Sequence, residues 1–205
     1  KILLTFTSNK VISGATVTFK TTSLGTHIAL VTNANMDGKT WSAKYSVVGG
    51  DNGTVSYEVT MVDAAGNSNT VSSGLSQLKV DTVLPDISGN VSFKSSGSDD
   101  SWAKKGENVI LTFTTDEDVR VPTVTFKSGP NNVDTNDMPA IQVINSNGNK
   151  RDWVATYPVT DDSANDRVWY TISLVDLAGN SHASDVSGGG TLTIDTKLPT
   201  VTVVD

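Results

Sequence analysis

The chain has 205 residues, 37 % of them hydrophobic, and a formal net charge of −7. That acidity removes the basic face on which nucleic-acid binding depends, so no nucleic-acid partner is expected. The absence of cysteine excludes disulfides, thiolate metal sites and a cysteine nucleophile, and no apolar run is long enough to span a bilayer, so no membrane insertion is expected of this segment.

Nothing in the chain has the period of a long helix. Alternating apolar and β-branched residues, as in Val17-Thr18-Phe19 and Val55-Ser56-Tyr57-Glu58-Val59, predict strands at about 1–7, 15–22, 26–33, 40–48, 54–62 and 75–81. A second series is predicted at about 87–94, 108–115, 122–128, 140–145, 152–159, 167–175 and 190–195.

The second series repeats the first, in the same order. Thr5-Phe6-Thr7 returns as Thr112-Phe113-Thr114, and Thr16-Val17-Thr18-Phe19-Lys20 as Thr123-Val124-Thr125-Phe126-Lys127. Trp41, Ala43 and Tyr45 return as Trp153, Ala155 and Tyr157. Asp63-Ala64-Ala65-Gly66-Asn67 returns as Asp176-Leu177-Ala178-Gly179-Asn180, and Asp81-Thr82-Val83-Leu84-Pro85 as Asp195-Thr196-Lys197-Leu198-Pro199. The expected fold is therefore all-β, with two tandem Ig-like β-sandwich domains in a rod. The expected boundaries are 1–82 for a domain lacking its first strand, 83–196 for a complete one, and 197–205 for the start of a further repeat. The missing strand leaves an open edge, to which residues 199–204 of a neighbouring molecule are expected to pair.

Of the 22 acidic residues only Glu58, Glu107 and Glu117 are glutamate; the rest are aspartate, which favours turns and also ligates calcium. If successive strands alternate in direction, the loops sort to two ends of each domain. The entry end of the second domain then gathers Asp81, Asp86, Asp116, Glu117, Asp118, Asp176 and Asn180. Its exit end gathers Asp99, Asp100, Asp134, Asp137, Asp161, Asp162, Asp166 and Asp195. Crowded carboxylates repel one another unless a cation compensates. Calcium takes six to eight oxygens, which Asp81, Asp116 or Asp118, Glu117, Asp176 and backbone carbonyls can supply. A second candidate site joins Asp161, Asp162, Asp166 and Asp195. The Asp-Xaa-Ala-Gly-Asn segment also has a purely conformational role, because Asp bonds the backbone two residues on and Gly accepts positive φ. In the first copy the loop Ser8-Asn9-Lys10 offers no carboxylate, so a metal is less expected there.

Trp41 and Trp153 fall on strands and are expected in the cores, where each indole N–H needs a partner. Trp102, beside Asp99, Asp100, Lys104 and Lys105, either caps the bottom of the sandwich or forms an exposed platform for a sugar or partner, and Trp169 alternates opposite the core-facing Tyr170; these two are the sequence's clues to a ligand. The two histidines occupy unrelated places, and no nucleophile elbow, HExxH pair or phosphate loop is present, so no enzyme is expected.

The Asp-Xaa-Ala-Gly-Asn turn, the Val/Ile-Asp-Thr-Xaa-Leu-Pro junction and the Trp-Xaa-Ala-Xaa-Tyr strand together resemble tandem bacterial Ig-like repeats of large cell-surface adhesins. The resemblance implies a stalk module, extracellular at a cell surface, whose partners are neighbouring Ig-like repeats of the same chain. It also implies junction calcium that stiffens the rod. The rival expectation is a binding module that contacts a host-surface glycan or receptor through Trp102, Trp169 and loop surfaces.

Overall fold

The alternating apolar segments of the two units build strands, whereas Pro199–Thr202 of the alternating tail is not a strand and 203–205 lie outside the described residues; the described residues contain no helix, hence none long and apolar enough to cross a membrane. The computed structural model describes all residues except 23–24, 74–77, 130–135, 140–141, 161–162, 164, 183–185 and 203–205. Two compact units result, Lys1–Val83 and Leu84–Asp205, and each is a β-sandwich.

The first unit contains β1 (Ile2–Thr7), β2 (Gly14–Thr21), β3 (Gly25–Ile28), β4 (Leu30–Asn33), β5 (Thr40–Tyr45), β6 (Gly53–Val62), β7 (Ser68–Ser72) and β8 (Lys79–Val80). One sheet has the order β1-β5-β4; the other runs β3-β2-β6-β7, with β8 also on β6. The single strand expected over 26–33 is two strands in different sheets. The chain changes sheets at buried Ala29, whose N–H donates to Val17 O at 2.8 Å. Of the strand expected over 75–81 the described residues show Lys79–Val80, and Ser68–Ser72, not expected as a strand, pairs separately with β6. Ile2, Val17, Phe19, Ala43, Val55 and Val59 point inward and form the core, each large side chain contributing about 1.5–3 kcal/mol by leaving water. β1 pairs with β5 alone among the described strands, so it forms a sheet edge.

The second unit contains β9 (Ile87–Ser95), β10 (Trp102–Ala103), β11 (Asn108–Thr115), β12 (Thr123–Ser128), β13 (Asn136–Pro139), β14 (Gln142–Asn145), β15 (Asp152–Pro158), β16 (Arg167–Ser173) and β17 (Val186–Ile194). Its sheets have the orders β14-β15-β11-β9 and β10-β17-β16-β12-β13, the distribution of strands found in Ig-like sandwiches. β9 covers the edge of β11 that its counterpart β1 leaves open. All pairings are antiparallel except β10 with β17, where Trp102 faces Thr193 and Ala103 faces Ile194 in parallel. The core includes Leu111, Phe113, Phe126, Trp153, Ile172 and Leu192, and Phe93 on β9 closes it against Tyr170 at 5.2 Å between ring centres. The register of β16 on β17 shifts between Val168 and Trp169. Gly189 sits at that bulge with φ 126°, and a Cβ on it would come within 2.7 Å of Trp169 Cα and Val168 O.

Candidate functional site

Three loops meet at the end of the second unit where the chain enters. Thr115 N–H donates to Arg151 O at 3.0 Å and Val119 N–H to Lys150 O at 3.1 Å, which ties the loop after β11 to the loop before β15. Arg120 N–H donates to Val175 O at 2.8 Å, and Val119 bridges Asp176, which brings in the loop after β16. The entering chain is held by Asp86, whose N–H donates to Asp116 Oδ1 at 2.8 Å while Asp86 O accepts from Asp116 N–H at 3.0 Å.

Asp176 lies at the centre of this end, 1 % exposed. A buried carboxylate is costly unless donors surround it, and the Asp-Leu-Ala-Gly-Asn turn provides them. Asp176 Oδ1 accepts from Gly179 N at 2.6 Å and Asn180 N at 2.8 Å, and Oδ2 accepts from Asn180 Nδ2 at 2.7 Å. Gly179 allows this by taking φ 99°. Glu117 brings a carboxylate oxygen within 4.8 Å of one on Asp176. Within this unit, Glu117 and Asp176 are thus two carboxylates of the kind that hold a metal ion.

The remaining sequence-predicted residues are placed as follows. Asn180 turns its amide nitrogen to Asp176. Asp118 faces Arg151, with Nε to Oδ1 at 2.8 Å, and Asp116 caps the Asp86 N–H. Asp81 Oδ1 accepts from Val83 N at 3.0 Å. Asp195 is exposed and its Oδ1 accepts from Lys197 N at 2.9 Å, repeating the local bond of Asp81. Asp161 and Asp162 lie outside the described residues.

The first unit carries the same turn in a different electrostatic setting. Asp63 Oδ1 accepts from Ala65 N at 3.0 Å and Asn67 N at 2.8 Å, while Oδ2 accepts from Asn67 Nδ2 at 3.0 Å. Lys10 Nζ adds an ion pair to the same Oδ2 at 2.6 Å. The bonds from Lys10 and then from Asn67 hold the Asp63 carboxyl well below the usual carboxylate range. Lys10, Asp63 and Asn67 line a cleft of about 370 Å³ together with Ile12 and Met61.

Sequence reasoning missed a buried cluster in the first unit. Asp51, 1 % exposed, accepts at Oδ2 from Val48 N and Tyr45 Oη, both at 2.8 Å, and His27 Nε2 lies 3.0 Å from its Oδ1. The Val48 N–H, with Tyr45 and His27 behind it, lowers the Asp51 carboxyl, and burial pushes the Tyr45 phenol up. In the second unit Ser163 occupies the place of Asp51, accepting from Thr160 N at 2.9 Å beside Tyr157 Oη at 3.2 Å. The six-residue spacing from Tyr45 to Asp51 and from Tyr157 to Ser163 was the available signal.

The aromatic candidates separate. Trp169 is half-buried: its Nε1 donates to Gly129 O at 3.2 Å and its ring lies where a Cβ on Gly190 would clash. It is a packing residue. Trp102 is 54 % exposed and lines a cleft of about 180 Å³ with Asp99, Lys104, Glu107 and Asp195. The indole nitrogens of Trp41 and Trp153 are buried and make no hydrogen bond among the described residues.

No family model matches the chain, and no curated protein does. Among solved structures the chain is similar to that of Rst D1-D2, at 14 % identity over 95 % of this chain and 92 % of that one, with a TM-score of 0.37.

Proposed function

We propose that this chain is a stalk segment of an extracellular cell-surface adhesin, in which Ig-like sandwiches in tandem hold another domain away from the surface. Its partners are neighbouring repeats of the same chain, and calcium at the Asp-rich junction restrains bending. The reading assigns the chain no catalytic step. The observation that supports calcium is the closeness of the Glu117 and Asp176 carboxylates at the end of the second unit where the chain enters. Carboxylate oxygens are what calcium takes, with backbone carbonyls and water completing its six to eight ligands. Asp176 is already held rigid by Gly179 and Asn180, so little ordering remains to be done on binding. A cation that binds the folded state alone adds about 2.7 kcal/mol of stability at a hundred times its dissociation constant.

A calorimetric titration with calcium, alongside melting in calcium and in chelator, tests the reading. Saturable binding and a higher melting temperature are expected of the wild-type chain. Asp81→Asn with Glu117→Gln should abolish both. A wild-type chain that gives no heat and no shift overturns calcium binding.

Trp102 favours a second reading, a glycan- or receptor-binding surface, because an exposed indole beside carboxylates and a lysine matches the apolar and polar faces of a sugar. A glycan array probed with the chain and with Trp102→Ala separates the two. A pure spacer leaves the array silent.

A further inference from the structure

In the second unit the entering chain closes one end of the sandwich. Besides the paired bonds between Asp86 and Asp116, Pro85 O lies 3.4 Å from His182 Nδ1. Ile87 then pairs with Thr115 and Ser88 with Thr114, which starts β9 along the edge of β11. Ile87 packs on the core as it does so.

The internal repeat locates the same place in the first unit. The copies run without a gap from Thr5 to Thr16 and from Thr112 to Thr123, so Thr7, Ser8 and Asn9 stand where Thr114, Thr115 and Asp116 do. The match of Asp63 with Asp176 puts Met61 at Leu174 and Asn69 at His182. These five first-unit residues line one cleft, that of about 370 Å³. The cleft therefore lies where Pro85 to Ser88 run in the second unit. The core beside it is correspondingly uncovered. Leu111, Phe113 and Leu174 are buried, whereas their counterparts Leu4, Phe6 and Met61 are only half-buried. The lining also suits a backbone guest: an Asn9 side-chain oxygen accepts an N–H as Asp116 Oδ1 does, and an Asn69 amide donates to a carbonyl placed like Pro85 O.

The chain carries a segment of the matching kind. Leu198-Pro199-Thr200-Val201-Thr202 repeats Leu84-Pro85-Asp86-Ile87-Ser88. It belongs to no strand, and Leu198 is 87 % and Val201 90 % exposed. Two apolar side chains thus stand in water on a segment whose copy is seated against a core.

We infer that Pro199–Thr202 of one molecule docks in the first-unit cleft of a second copy, antiparallel to β1, with Val201 opposite Ser8 and Thr202 opposite Thr7. Backbone bonds along the β1 edge hold the segment, and Val201 sets its register by covering Met61, as Ile87 is seated in the second unit. The donor and the acceptor are different surfaces, so the contact is heterologous and copies add head to tail. Neither surface includes the carboxylates of the calcium reading, and the inference stands independently of it.

Sedimentation and cross-linking of the full chain test this, both in chelator so that calcium plays no part. The weight-average mass of the wild-type chain should rise with concentration, and Val201→Asp should hold it at the monomer. Because the chain has no cysteine, single cysteines report the register. Thr7 and Thr202 are both exposed, so neither exchange disturbs a core. An oxidised mixture of a Thr7→Cys chain and a Thr202→Cys chain should give the mixed dimer well above its random share, and adding Val201→Asp to the second chain should return it to that share. A wild-type chain that stays monomeric at every concentration overturns the inference, as does a random distribution of cross-links. Assembly that survives Val201→Asp overturns the assigned donor. A chain carrying both cysteines that oxidises to a closed monomer overturns the assignment to a second copy.

Discussion

Asp63 and Asp176 are gripped by the same turn, yet Asp63 alone has an ammonium from position 10 against it, and acid should reveal the difference. Lys10 first, then Asn67, lowers the Asp63 carboxyl. A carboxyl lowered on folding adds stability that is fully present above its unfolded pKa, near about 3.9, and is lost as pH falls through the lower folded value. Lys10→Met should raise the folded value, so the first unit should unfold at higher pH; circular dichroism during acid titration would show it. A second prediction concerns backbone. Lys150 has φ 59°, at the place where the first unit has Gly38 with φ 68°. Lys150→Gly should stabilise the second unit by about 1 kcal/mol by relieving left-handed strain, read from urea unfolding. Gly38→Ala should destabilise the first, since its Cβ would meet Val11 Cγ1 at 2.7 Å. The turn residues were legible in the sequence because Asp-Xaa-Ala-Gly-Asn is a local motif. The pairing of Asp118 with Arg151 was not, because the two are 33 residues apart and meet only when two loops are folded together.

Strands with regular alternation were equally legible, from β1, β2, β5 and β6 to β11, β12, β15 and β16, because burial of one face writes itself into every second residue. Four features were not. The split at Ala29 leaves both sides strand-like, and only pairing distinguishes β3 from β4. β10 is two residues long, below the reach of any period. β13 reads Asn-Asp-Met-Pro, the composition of a turn, and is held because Phe126 pairs with Met138, which is 5 % exposed. Proline closes it at a sheet edge, where its missing N–H is tolerated. The strand expected over 190–195 begins earlier, at Val186, so that Gly188-Gly189-Gly190 is the middle of β17, where glycine makes room for Trp169. Gly189→Ala should therefore cost the second unit about 1–3 kcal/mol, by the strain of φ 126° and a backbone clash, and its melting transition alone should fall.

The two units are unequal in what they bury. Among the described residues the second core holds seventeen buried apolar residues and the first seven, so the first unit should melt earlier. Hydrogen exchange checks this directly: the slowest amides should lie on β11, β12 and β16. Phe126→Ala should cost about 3–5 kcal/mol and move only the later transition. The short parallel pair of β10 and β17 has a further effect on the second unit. Thr193 N–H to Ser101 O at 2.8 Å and Asp195 N–H to Ala103 O at 2.9 Å join the strand near the unit's beginning to the strand at its end. Tension applied to the two chain ends drags such strands past one another, so these bonds bear the load together instead of opening in turn. All pairs described in the first unit are antiparallel, with no such clasp. Stretched as a single molecule, the chain should give way at two forces, the first unit yielding while the second still holds.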